Sequence, residues 1–272
     1  MSESILPPHV LSELGELCAF EDLYRAAPWE FAYETGLRHA RLGEALIVSL
    51  PANEAKVYNR VLGLGVLEPA TEEMLDWALS QFAESGVANP GFHLSEHAQP
   101  DVLAEWLSAR GFAPEDSWVK LYRPAGPVQQ VATDLHVTEI GPEAAHDFVT
   151  VLAEGFGSPD WLGYWLAALV GRPDWHIYVA YAGAEPAATG AMYCRDGAGW
   201  LGFGATRPDF RRRGAQGAIM AYRLHHAFEL GCLACVTETS EPSPEESNPS
   251  LNNMLRAGFE ITHRRINFAL PE

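Results

Sequence analysis

The chain has 272 residues, 47% hydrophobic and 20% charged, which is enough apolar material for one large or two modest globular domains and too much for a disordered or fibrous chain. Asp and Glu number 36 against 18 Lys and Arg, and a net charge of -18 repels a phosphate backbone, so no nucleic-acid partner is expected. The longest strongly apolar stretch, 161–170, is ten residues, short of the roughly 18 to 20 that cross a bilayer. Glu3 stands where a secretory leader carries Lys or Arg. The expectation is a cytoplasmic protein with no membrane partner. Cys18, Cys194, Cys232 and Cys235 are too few for a disulfide scaffold. The pair Cys232-x-x-Cys235 has no second pair to complete a zinc site and reads as packing at a strand entry; no metal is expected.

In chain order, the first half reads as strands at 44–50 and 57–64, a helix at 71–85, a strand at 91–94, a helix at 102–109 and a strand at 117–123. The run Pro124-Ala125-Gly126-Pro127, followed by Gln129-Gln130, reads as a linker. It divides the chain into 1–125, a linker at 126–133, and 134–272. The second half opens with an alternating strand at 134–140, a helix through Phe148, Val151 and Leu152, and a second helical stretch at 161–170. Three hairpin-linked strands follow at 176–182, 186–194 and 200–206, then a helix at 215–230 ended by Gly231. A strand at 233–238, a polar loop at 240–249, a short helix at 250–257 and a last strand through Phe268 close the chain. The end of the first half, Arg110-Gly111-Phe112 and its strand, parallels Arg256-Ala257-Gly258-Phe259 and its strand, which suggests an internal duplication.

Chemistry concentrates at 207–218, between a strand and a helix. Arg207, Arg211, Arg212 and Arg213 put four arginines in seven positions, next to Gly214, Ala215, Gln216 and Gly217. A helix start offers unpaired N–H groups and a positive dipole end, and glycine lets a phosphate approach the main chain. A di- or polyphosphate is the matching ligand. A nucleotide P-loop needs Gly-Lys-Ser/Thr, and the second half contains no lysine. A Rossmann turn needs parallel flanking strands, whereas these read as antiparallel. The first half carries Glu68, Glu72 and Glu73 at the matching place, which oppose an anion.

The segment Arg211-Arg212-Arg213-Gly214-Ala215-Gln216 resembles the Arg/Gln-x-x-Gly-x-Gly/Ala signature of the GCN5-related N-acetyltransferases, with Gln216 in place of the final small residue and Gly217 and Ala218 just after it. The element order of 134–270 and the ending Arg256-Ala257-Gly258-Phe259 are also similar to that family. The resemblance implies an α+β fold of two tandem acetyltransferase-like domains, each a mostly antiparallel mixed sheet flanked by helices, with the first degenerate. It implies acetyl-CoA as co-substrate. The strand edge at Gly204, Ala205 and Thr206 would pair with the pantetheine arm, amides from Arg212 to Gly217 would hold the pyrophosphate, and Asn248 and Asn253 would be polar contacts.

The implied reaction is direct attack of a primary amine on the thioester in a ternary complex, which needs an oxyanion donor, a base and a proton for the thiolate. The resemblance places the donor on the backbone near Thr206 and the thiolate acid at a position that here is Met254, which has no proton to give. Glu238 is the first candidate base and Glu154 the runner-up, with His176 behind them; His225 and His226 read as packing residues. Trp161, Tyr164 and Trp165 stand where the family lines its acceptor pocket, at a spacing that equally suits core packing. The acidic balance favours a cationic acceptor, a small-molecule or peptide amine, and a homodimer is compatible with the layout. The alternative is a non-catalytic acyl-CoA binder or sensor, and a third reading is a binder of another phosphorylated ligand.

Overall fold

The computed structural model describes residues 6–242 and 247–271. The helices are α1 (Pro8–Arg25), α2 (Trp29–Thr35), α3 (Glu72–Ser85), α4 (Leu103–Ala109), α5 (Ala145–Phe156), α6 (Leu162–Leu166), α7 (Ala215–Glu229) and α8 (Pro249–Arg256). The strands are β1 (Arg38–Leu42), β2 (Ala45–Ser49), β3 (Arg60–Leu62), β4 (Gly91–Ser95), β5 (Ala113–Pro124), β6 (His136–Glu139), β7 (Trp175–Ala182), β8 (Glu185–Arg195), β9 (Ala198–Thr206), β10 (Ala234–Ser240) and β11 (Glu260–Ala269). The fold is α+β, with helices on mixed sheet. No described helix is long and apolar enough to cross a membrane. Glu3 and the 243–246 part of the expected polar loop lie outside the described residues.

The expected cut at 126–133 does not yield two contiguous halves. One compact unit comprises Met1–Leu121, Glu238–Ser247 and Ile261–Glu272, the other Tyr122–Thr237 and Asn248–Glu260. In the first, the strand order is β1-β2-β3-β4-β11-β5. β3 and β4 run parallel, as α3 between them requires, and the pairs β1·β2, β2·β3 and β4·β11 are antiparallel. The last strand of the chain is therefore built into the first unit, where Phe268 pairs with Phe92. The reason is apolar: Phe92, Phe112 and Phe268 share a core with Leu75, Ala78 and Phe82 of α3 and Leu103 and Leu107 of α4. Thr71 caps α3 by accepting the Met74 amide at 3.3 Å. Glu72 and Glu73 occupy that helix's first turn, so its positive end already faces its own carboxylates.

The same unit contains a buried ionic cluster. Glu16 of α1 accepts from Arg60 Nη2 at 2.8 Å, from Lys120 Nζ at 2.8 Å and from Arg265. Lys120 also reaches Glu238 at 3.0 Å, and Glu13 meets His263 at 2.7 Å. His93 Nδ1 lies 2.7 Å from Arg60 Nη1, a contact in which the guanidinium donates. Burial, followed by the Arg60 charge, holds His93 well below the usual imidazole range.

The second unit orders its strands β10-β9-β8-β7-β6, with β9·β10 parallel and β6·β7, β7·β8 and β8·β9 antiparallel. Tight turns at Gly183 (φ 64°) and Gly197 (φ 76°) join β7 to β8 and β8 to β9. α5 buries Phe148, Val151 and Leu152, one stripe at helical spacing. The expected helix at 161–170 is shorter: α6 gives way to a 3₁₀ turn at Ala167–Leu169. Within it Trp165 is fully buried, while Trp161 and Tyr164 are exposed. Cys232 and Cys235 are buried free thiols.

Candidate functional site

The site begins with a break in the β8·β9 ladder. Register passes from Ala191↔Gly202 to Thr189↔Ala205, so Phe203 and Gly204 together oppose Gly190. Phe203 takes φ 52°, the left-handed conformation such a bulge demands. Arg223 of α7, fully buried, supports the break by donating from Nη1 to Ala191 O at 2.8 Å and Gly202 O at 3.0 Å. A side chain at Gly190 would collide with it, since a Cβ there falls 2.9 Å from the guanidinium carbon. Burial lowers Arg223 to about 10, which leaves it charged at neutral pH. On its other edge β9 pairs with β10 from Ala198↔Ala234 to Trp200↔Val236, and Gly202 to Thr206 run on beyond that ladder.

After β9 comes the arginine turn. Arg212 (φ 65°) and Gly214 (φ 76°) both adopt left-handed conformations, and the first helical bond runs from Ala218 N to Gly214 O. The amides from Ala215 to Gly217 are the donors a helix start leaves unpaired. Two of the four arginines are engaged with carboxylates: Arg207 Nε donates to Glu154 at 2.7 Å, and Arg213 forms an ion pair with Asp134. Arg211 and Arg212 face a cavity instead. The glycine reading also changes. A Cβ on Gly214 would meet the Ala132 carbonyl at 2.7 Å and one on Gly217 the Val131 side chain at 3.0 Å, so what approaches these glycines is segment 128–133. Thr133 Oγ1 fastens that segment by donating to Arg213 O at 2.8 Å. Residues expected to be linker are part of the site.

The cavity holds about 920 Å³ and is bounded by the end of β9, the turn, the start of α7, segment 128–132 and α8. Gly204, Ala205, Thr206, Arg211, Arg212, Gly214, Ala215, Gln216, Gly217 and Asn253 line it. Arg213 and Asn248 do not; Asn248 caps α8, accepting the Leu251 amide at 3.0 Å. The sequence reading missed Arg256, which lines the cavity and donates to Asn253 Oδ1 at 2.5 Å. It also missed Ser250, Gly155 and Phe156. In a chain of net charge -18, the lining carries three arginines and no carboxylate. Gln216, the departure from the signature, donates from Nε2 to Ala205 O at 2.6 Å and Thr206 Oγ1 at 2.9 Å, tying the helix start to the strand end.

Glu238 belongs to the first unit, buried on Lys120. Burial, with Glu16 adding to it, pushes its carboxyl above the usual range. Glu154 lies beside Gly155, whose Cβ would touch the Ala205 Cβ at 2.8 Å, and its carboxylate holds Arg207. Met254 is buried at 9% exposure.

No protein-family model and no curated protein matches the chain. Solved structures do. A GCN5-related N-acetyltransferase from Kribbella flavida superposes with TM-score 0.66 at 18% identity, covering 96% of each chain. A GCN5-related N-acetyltransferase from Sphaerobacter thermophilus gives 0.59 at 14%, covering 96% of this chain and 91% of the other. A tandem GNAT protein from the clavulanic acid biosynthesis pathway gives 0.57 at 14%, covering 77% and 74%. At these identities the likeness is one of fold: the chain has the fold of the GCN5-related N-acetyltransferases.

Proposed function

We propose that the protein is an N-acetyltransferase whose second unit binds acetyl-CoA and passes the acetyl group to a primary amine. The observation that carries this is a carboxylate-free cavity lined by three arginines, two of them in the turn before α7 and one at the end of α8, inside a strongly acidic chain. Arg211, Arg212, Arg256 and the Ala215 to Gly217 amides offer the diphosphate donors of opposite charge, and the stretch of β9 past its bulge, which runs on beyond the β10 ladder, suits an extended pantetheine arm.

In the proposed reaction the amine nitrogen bonds to the thioester carbon, the carbonyl oxygen gains negative charge near the Thr206 backbone, and the C–S bond then breaks. Glu154 is the proposed proton acceptor of the second unit, its carboxylate positioned by Arg207. The thiolate takes its proton from water, because Met254 cannot supply one. Glu238, with its raised carboxyl, is the parallel candidate.

The first unit is proposed to be a worn copy of the same fold. Its β3-α3-β4 crossover repeats β9-α7-β10, parallel strands joined through a helix, but its helix start bears Glu72 and Glu73 where the other has arginines. Calorimetry with acetyl-CoA, followed by free-thiol release against a panel of amines, tests the reading. Binding with turnover that Glu154→Gln slows, coenzyme affinity unchanged, supports it; if Glu238→Gln alone slows turnover, the base is reassigned. Binding without thiol release from any amine favours a sensor, the reading that buried Met254 suggests. No heat with acetyl-CoA ends the coenzyme reading.

A further inference from the structure

Three side chains far apart in sequence converge in the second unit, away from the cavity lining. They are Glu139, the last residue of β6, His176, the second of β7, and His226, in the last turn of α7. One ligand atom from each, two imidazole nitrogens and a carboxylate oxygen, lie within 4.8 Å of one another. We propose that Glu139, His176 and His226 form a binding site for a divalent transition-metal cation of the zinc type.

The placement follows from the local geometry. His176 and Tyr178 are two apart on β7 and so share a face, and Tyr222 and His226 are four apart on α7 and so share another. The two faces meet in register, with ring centroids 4.9 Å apart for His176 and His226 and 5.5 Å for Tyr178 and Tyr222. Glu139 stands opposite Tyr178 in the β6·β7 ladder and reaches across to both histidines, 2.7 Å from His176 Nδ1 and 3.8 Å from His226 Nδ1. The Tyr178 hydroxyl lies 2.7 Å from His226 Nδ1 and sets the orientation of that ring.

The donor set is the one borderline cations select: two imidazoles and one carboxylate, with room left for water as a fourth ligand. Metal–ligand bonds near 2.1 Å put tetrahedral ligand atoms about 3.4 Å apart, so the trio needs shifts of about 1 Å or less to close on an ion. Both ion pairs of Glu139 among the described residues are with these histidines, so neither Lys nor Arg competes for the carboxylate. An ion here would pin β6, a strand of four residues at the sheet edge, to β7 and to the far end of the helix whose start forms the arginine turn.

The test uses the full chain, free of any tag and stripped with chelator, titrated with Co²⁺ as the spectroscopic probe and then with Zn²⁺. The expected result is one Co²⁺ per chain with a visible d–d band that Zn²⁺ abolishes. Thermal unfolding of the wild type should also move to higher temperature with Zn²⁺. Glu139→Gln, close in shape, and His176→Ala should each weaken binding about tenfold or more, by analogy with losses at metal sites. His225→Ala, one residue away on α7 and outside the trio, should bind as the wild type does. Circular dichroism of the metal-free variants separates lost ligation from lost folding. No stoichiometric band in the wild type, or equal weakening by His225→Ala, overturns the proposal, and leaves the acetyl-CoA reading untouched.

Discussion

Replacing Glu16 by Gln tests the ionic cluster of the first unit. Three carboxylates (Glu13, Glu16, Glu238) there face three cations (Arg60, Lys120, Arg265), and the side chains of Glu16 and the three cations are at most 1% exposed. The substitution keeps the shape and leaves one uncompensated positive charge in a buried cluster. Removing one partner of a buried pair costs about 3–5 kcal/mol, a large fraction of the roughly 5–15 kcal/mol that holds a domain folded. At about 2–4 °C per kcal/mol for a protein of this size, the melting temperature should fall by roughly 6–20 °C. Urea unfolding and scanning calorimetry at pH 7 read this directly, with Glu72→Gln as a control, since its pair with Arg110 is more than half exposed on the glutamate side and worth at most about 1 kcal/mol. The effect also has a sign in pH. Burial alone would raise the Glu16 carboxyl, but Arg265, Lys120 and Arg60 overturn that and hold it well below the usual range. Between the depressed value and an ordinary carboxylate value near about 4.3, the folded state binds fewer protons than the unfolded one. The Glu16 contribution is therefore complete above that window and lost as pH falls through it. A loss at pH 7 no larger than the control's would refute the claim that these charges are mutually compensating.

Other outcomes follow from the cavity. Gln216→Ala removes two hydrogen bonds to the end of β9; it should cost about 1–2 kcal/mol in urea unfolding and raise KM for acetyl-CoA. Arg211→Ala and Arg212→Ala should each weaken coenzyme A about 10- to 100-fold by calorimetry and flatten its salt dependence. Arg213→Ala, already bound to Asp134, should weaken it less than about threefold. Gly214→Val meets both a left-handed backbone and the Ala132 carbonyl. It should lower the melting temperature by several degrees through about 1–2 kcal/mol of strain, and displace segment 128–133, seen as faster proteolysis there.

What the sequence makes legible is local. The hairpins of β7 to β9 and the glycine-ended helix α7 each depend on residues within a few positions of one another, and they stand where the sequence puts them to within a few residues. The helix α1 was not legible: its buried face carries Ser12, Glu13 and Glu16 beside Leu17 and Phe20, so apolar periodicity is blurred by the charges that the core turns out to need. β1, at the sheet edge with Arg38 and Arg41 exposed, hides for the opposite reason, having no buried alternation to display.

The same distinction governs the site. The turn at 211–217 and its strand are contiguous and were found; Arg256 and segment 128–132 come from elsewhere in the chain and were not. Four arginines in a row of seven looked like one island of charge, yet Asp134 and Glu154, which engage two of them, lie 79 and 53 residues away. Gln216 is the reverse case. As a letter in a motif it reads as a defect, because a small residue is expected there. As a side chain it bridges the first turn of α7 to the Ala205 carbonyl and the Thr206 hydroxyl at the end of β9, next to a bulge that Arg223 supports from the same helix. Both residues fix the end of β9 from α7, so the strand edge and the helix amides are held in one geometry before any ligand arrives. A glycine at 216 could make neither bond to the end of β9, and so Gln216 is better read as preorganisation of the cavity than as its decay.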